Sequence, residues 1–219
     1  MSDIRIKSKK AIVFDWDGTL FNSMEYKREN LVKMFTELGA DREEIINLYT
    51  RLSGIPRKKI FSALFEVLFR ENLSESGYRE LSRRYTDLNL KNGLHAKLFD
   101  DVEESLKELK KRMLLFISSS SDPDELMAVV KATPVYNLFQ EVNGSKEGFE
   151  KGYEHFEHIQ SFFSLKSKDL LFIGDDIEDM NLAIGSNIDS IRILRDGSFP
   201  MDVEYLCISS LSDLVNYLN

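Results

Sequence analysis

Six short runs punctuate the chain: "AIVFDW" from residue 11, "LLFISSS" from 114, "LFQEVNG" from 138, "DLLFIGDD" from 169, "SIRIL" from 190 and the weaker "YLCISS" from 205. Most are apolar throughout rather than alternating, the pattern of strands covered on both faces. Between most of them lie segments with helical periodicity, such as "DDVEESLKELKKR" and "DPDELMAVVKA". Alternation of this kind predicts an α/β fold, a Rossmann-like, doubly wound parallel sheet.

One stretch breaks the alternation. From residue 22 to 92 there is no strand signal, and apolar positions recur at helical spacing: Leu31, Met34, Phe35 and Leu38, then Ile45, Tyr49 and Leu52, then Phe61, Leu64, Phe65 and Leu68, and last Leu81, Tyr85 and Leu88. The domain organisation expected is an α/β core made of 1–21 and 93–219, with a small helical bundle, 22–92, inserted between. The run "FSALFEVLF", 61–69, is apolar around most of its circumference and reads as the central helix of that bundle, or else as a subunit interface.

Composition removes several classes. With 29 Lys and Arg against 37 Asp and Glu the formal charge is −8, which argues against a general nucleic-acid binder. No run approaches the ~20 apolar residues of a membrane span, and the apolar run behind the polar start is too short for a signal-peptide core. The single cysteine, Cys207, reads as a small core residue in a reducing compartment. The expectation is a soluble cytoplasmic protein.

In an open parallel sheet, ligands sit beyond the carboxyl ends of the strands. The residues there are Asp15, Asp17, Gly18 and Thr19; Ser118, Ser119 and Ser120; and Gly174, Asp175, Asp176 and Asp179. Carboxylates from two strand ends are expected to meet with a row of hydroxyls between them. So many cannot stay ionised together without a cation, and hard oxygen ligands point to Mg2+. The three histidines, His95, His155 and His158, read as surface or packing residues. Mg2+, hydroxyls and two carboxylates at i, i+2 on one side of a strand suit phosphoryl transfer: one Asp attacks phosphorus while the other manages protons. The plain alternative is a solvated turn in which Asp and Gly are turn formers.

The segments "FDWDGTLFNS", "LLFISSS" and "LLFIGDDIEDM" resemble, in order and separation, the three motifs of the haloacid dehalogenase-like hydrolase superfamily. The helical insertion resembles the cap of its phosphoglycolate phosphatase and β-phosphoglucomutase branch. The resemblance implies Asp15 as nucleophile and Mg2+ ligand, and Asp17 as general acid and base, binding the metal through its backbone carbonyl. It implies Asp175 as the third protein ligand, with Asp176 and Asp179 supporting the metal directly or through water. Thr19 would steady the Asp17 side of the phosphate site, Ser118 would bind phosphate by its hydroxyl and Ser119 by its N–H. A lysine is also implied, and Lys151, 23 residues before Gly174, fits better than Lys146.

Three positions depart from the family pattern: Ser119 stands where Asn is common, Gly152 where Pro usually follows the lysine, and Asn22 where the phosphoglycolate phosphatases carry Asp. The segment 51–61, "RLSGIPRKKIF", resembles the cap loop over the site, and Arg57 is its expected substrate contact; the alternative is a basic first turn on a surface helix. The activity implied is Mg2+-dependent hydrolysis of a small phosphorylated metabolite through an aspartyl phosphate. A phosphosugar mutase is the second reading, and a non-catalytic binding or regulatory protein the third. No nucleic-acid or membrane partner is expected, and the oligomeric state is left open.

Overall fold

The computed structural model describes residues 6–52, 55–93, 95–198 and 205–218. Six strands form one parallel sheet in the order β3-β2-β1-β4-β5-β6: β1 Ala11–Phe14, β2 Leu114–Ser118, β3 Glu141–Asn143, β4 Leu170–Gly174, β5 Asp189–Ile193 and β6 Leu206–Ile208. Every strand coincides with one of the runs singled out in the sequence. Because β1 lies between β2 and β4, Asp15 sits between the serine run and Asp175. The hydroxyls therefore flank the carboxylates and do not lie between them, contrary to the expectation above.

The apolar runs are explained by two buried faces. Ile12, Phe14, Leu115, Ile117, Leu171 and Ile173 point to one side, onto helices α5 (Val102–Lys110), α6 (Pro123–Lys131) and α9 (Leu211–Leu218) through Leu106, Leu126 and Leu214. Val13, Phe116, Leu170 and Phe172 point to the other, onto α7 (Tyr153–Phe163) and α8 (Ile177–Gly185) through Phe156, Ile159 and Ala183. A strand has period two, so apolar residues at every position supply both cores.

Between β1 and α5 run four helices, α1 Met24–Glu37, α2 Arg42–Arg51, α3 Arg57–Phe69 and α4 Glu75–Gly93, around a third apolar cluster that includes Leu31, Phe35, Ile45, Phe61 and Leu64. Asp41 caps α2 by accepting from the N–H groups of Glu43 and Glu44. α1, α2 and α4 all pack against α3, with the Phe35 ring of α1 against Phe61 and Phe69. α3 buries Phe61 and Leu64 fully, while Val67 is exposed. Leu38, placed on the apolar stripe of α1, ends that helix and is exposed as well. Of the segment 51–61, Ser53 and Gly54 lie outside the described residues, as do the chain termini assigned to the α/β core. No helix among the described residues is long and apolar enough to cross a membrane.

Candidate active site

Asp15 follows β1 directly, and its N–H donates to the Ile173 carbonyl at 2.8 Å, so the sheet pairing fixes where its side chain starts. The carboxylate is buried, 3% exposed, and receives the Lys151 ammonium at 2.7 Å. Lys151 also meets Asp179 at 2.5 Å, while Lys146 lines a neighbouring cavity instead. Lys151 is held from behind, because its N–H donates to Ser145 Oγ at 2.8 Å and the next residue, Gly152, has φ +103°. Proline cannot adopt that angle, which accounts for glycine at this place.

The acidic stretch after β4 does two jobs at once. Asp176 caps α8 by accepting from the Glu178 N–H at 3.0 Å, and Asp179 returns to the Asp176 N–H at 3.4 Å, a capping box. Asp179 thereby comes under Gly174, where a Cβ would overlap its carboxylate. Gly18, at φ +80°, likewise leaves room for Asp175, whose carboxylate accepts from Thr19 Oγ1 at 3.2 Å. Thr19 is fully buried and serves Asp175, not the Asp17 side where the family pattern put it.

Three carboxylate oxygens, one each from Asp15, Asp175 and Asp179, lie within 4.8 Å of one another, with Lys151 as the one ammonium against them among the described residues. Burial, with Asp179 and Asp17 nearby, outweighs the pull of Lys151 and pushes the Asp15 carboxyl up to about 7. Burial and the Asp15 charge push Asp175 well above the usual carboxylate range. Lys151 is held above its ordinary value: burial works against its charge, and the two carboxylates override it. Three acids against one base leave two negative charges that only protons or a cation can offset. An all-oxygen donor set of this kind fits a hard divalent ion such as Mg2+. Asp179 belongs to this triad, and Asp176 stands next to it at the N-cap of α8.

Asp17 lines the same cavity, but its carboxylate is bonded to other partners. It accepts from Ser23 Oγ at 2.6 Å, Ser121 Oγ at 2.7 Å and Lys27 Nζ at 2.7 Å. Burial opposes its ionised form, but Lys27 and the two hydroxyls win and hold it below the ordinary value. Lys27 lies on α1 and reaches Glu125 on α6 at 3.4 Å; Arg57 from α3 meets the other Glu125 oxygen at 2.6 Å and Thr86 at 2.8 Å. Arg57 does line the cavity, yet both terminal nitrogens of its guanidinium are bonded within the protein, one to Glu125 of the sheet domain and the other to Thr86 of the insertion.

The serine run is used differently from the expectation. Ser118 is fully buried, its hydroxyl bonded to His155 Nδ1 at 2.9 Å, and it lies outside the cavity lining. Burial pushes His155 down to about 4, so the imidazole is neutral. The Ser119 N–H, expected to bind phosphate, donates to the Asn143 carbonyl at 2.9 Å because it continues the β2–β3 ladder. Ser119, Ser120 and Ser121 line the cavity, and among the described residues Ser120 has neither its hydroxyl nor its N–H bonded within the protein.

The resulting cavity, about 110 Å³, has Asp15, Asp17, Lys151, Asp175, Asp176 and Asp179 in its wall together with the serines. Lys27, Ser121 and Glu125 were missed in the sequence. Lys27 carried a signal, since it precedes Leu31 and Met34 by four and seven residues on the buried stripe of α1. Glu125 carried none, because an acid in a first helical turn is ordinary.

A family model, haloacid dehalogenase-like hydrolase, matches residues 12–193. The chain belongs to that family of hydrolases. An enolase-phosphatase of Aquifex aeolicus is 24% identical over 207 residues, covering 87% of this chain and 92% of that protein. Among solved structures, a predicted phosphoglycolate phosphatase from Haemophilus somnus superposes with a TM-score of 0.77 at 17% identity, covering 97% of this chain and 99% of the other. CbbY from Rhodobacter sphaeroides, solved with xylulose-1,5-bisphosphate, superposes at 0.74 with 18% identity, covering 94% and 96%. At these identities the structural likeness speaks for the shared α/β fold.

Proposed function

We propose that this hydrolase is a Mg2+-dependent phosphatase of small-molecule phosphate monoesters, working through an aspartyl phosphate on Asp15. The observation that carries the reading is the Asp15 carboxylate, buried at the cavity wall and held 2.7 Å from Lys151 beside two further acids. Asp15 and Asp175, with Asp179 and the Asp17 main chain, are the groups to hold Mg2+, and Asp176 supports them from the N-cap of α8. Bound there, the ion supplies charge to offset the triad and the phosphate dianion.

In the first step a carboxylate oxygen of Asp15 attacks phosphorus, the bond to the leaving oxygen breaks, and Asp17 gives that oxygen a proton, which it must first take up from solvent because Lys27, Ser23 and Ser121 favour its ionised form. In the second, Asp17 takes a proton from water as the water oxygen attacks phosphorus, and Asp15 is released with inorganic phosphate. Lys27, Ser23 and Ser121 favour the ionised Asp17 that the second step needs. Lys151 and Ser120 meet the phosphoryl oxygens, and Ser119 shapes the wall beside them. Residues 22–92 act as a cap domain that closes this cavity and excludes water.

The test is release of phosphate from 4-nitrophenyl phosphate with Mg2+, alone and after chelation, by the wild type and Asp15→Asn. Turnover that needs the ion and is abolished in the variant supports the reading; an active Asp15→Asn overturns it. Phosphate returned to a new position on a sugar, without release, would make the enzyme a mutase instead.

A further inference from the structure

Apart from Lys27 and Arg57, the insertion lines the cavity mainly with apolar groups: Leu31, Ile55, Ile60 and Phe61, with the rings of Tyr49 and Tyr85. The Tyr85 hydroxyl is turned out of that wall and donates to the Lys27 carbonyl at 3.1 Å. Three cations reach the cavity, and every one is already matched among the described residues. Lys151 is held by Asp15 and Asp179, Lys27 by Asp17 and Glu125, and Arg57 by Glu125.

Arg57 is held by more than its ion pair. Its other terminal nitrogen donates to Thr86 and Ser82, and its guanidinium lies 4.9 Å from the Tyr85 ring centre. Burial disfavours its charge, yet Glu125 keeps its pKa raised. The next cavity outward, about 280 Å³, shares Arg57 and Ser120 with the first. Its wall adds Glu75, Asp122, Glu147 and Glu150 against Lys58 and Lys146, and Lys58 is bound to Glu75 at 2.8 Å. A second anionic group on the substrate would meet this negative wall or have to break a buried ion pair.

Resting on the phosphatase reading, we infer that the leaving group is compact, uncharged and apolar. A carboxylate or second phosphate beside the scissile ester is selected against. The chain then differs in substrate class from relatives whose names specify phosphoglycolate or a sugar bisphosphate. The neutralised Arg57 and the apolar face of the insertion are its specificity determinants.

The probes are isobutyl phosphate and 2-phosphoglycolate, which are similar in size because a carboxylate replaces an isopropyl group, with phosphoethanolamine as the cationic arm. Titration calorimetry on Asp15→Asn with Mg2+ reads binding without turnover. Isobutyl phosphate should bind at least tenfold more tightly than either charged ester. Met24→Lys, which places a cation in the same wall at a half-exposed position, should cut the preference over phosphoglycolate at least fivefold. Equal or tighter binding of phosphoglycolate or phosphoethanolamine overturns the inference. If the order of binding holds but the wild type frees no phosphate from any ester, the pocket assignment stands and the hydrolytic reading falls. If no ester binds, both fall.

Discussion

Lys27 on the helical insertion and Asp17 at the end of β1 form a buried ion pair at 2.7 Å, each side chain less than a fifth exposed. The pair joins the two parts of the chain at the residue assigned to proton transfer. Glu125 and Ser121 complete it from the sheet domain.

Removing one partner of such a pair strands the other. Lys27→Met leaves Asp17 and Glu125 buried without their shared ammonium, a loss on the order of 3–5 kcal/mol for a buried pair. For a chain of this length that is a fall in Tm of roughly 10 °C. Adding Asp17→Asn should return part of it, because the stranded charge disappears. A thermal-melt double-mutant cycle checks this, and strict additivity would show the pair to be uncoupled.

Lys151 makes the same argument for the nucleophile. Its ammonium lowers the Asp15 pKa against burial, so Lys151→Met raises that pKa further and the nucleophile ionises only at higher pH. The acid limb of the pH profile of kcat/KM should move to higher pH, with kcat down roughly 10²–10³-fold for the loss of a preorganised charge in the transition state. An unshifted acid limb would detach Lys151 from Asp15.

Metal removal should reverse the pH dependence of stability contributed by Asp15. Its carboxyl rises from the model-peptide 3.8 to about 7 in the metal-free fold, so between those values the folded state binds a proton that the unfolded chain has lost. Stability then falls as pH rises through that window, the opposite of the usual carboxylate case, in which the folded pKa is depressed. In chelator, the wild type should melt lower relative to Asp15→Asn at about pH 8 than at about pH 5, and Mg2+ should close the gap at the higher pH. A constant offset between the two proteins would contradict this.

β1, β2 and β4 were legible because a strand buried on both faces has to be apolar at nearly every position; β3 and β6, less buried, gave weaker runs. The ends of those strands were legible too, since carboxylates follow two separate apolar runs, at Asp15 and at Asp175, Asp176 and Asp179, where an open parallel sheet places its ligands. What the sequence hid lies across space. Whether Ser118 faces the cavity or His155, and whether the Ser119 N–H is free or paired with Asn143, depends on β3 and α7, which arrive later in the chain. Arg57 was visible as a cation near the site, but its neutralisation by Glu125, 68 residues away, was not.

Gly18 tests how closely the turn and the acids depend on each other. Its φ of +80° strains any residue with a Cβ, and that Cβ would overlap the Asp175 carboxylate. Gly18→Ala therefore carries two penalties. The backbone cost is about 1–3 kcal/mol for a non-glycine residue held at such an angle. The displacement of Asp175 also breaks its bond from Thr19 and opens the triad. Mg2+ affinity, followed by the ion's effect on Tm, should drop together with turnover. Gly148→Ala, at φ +74° but with nothing within 4 Å of the added Cβ, should carry the backbone cost alone. Equal loss of Mg2+ response in the two variants would show that strain, and not the Asp175 contact, is what Gly18 relieves.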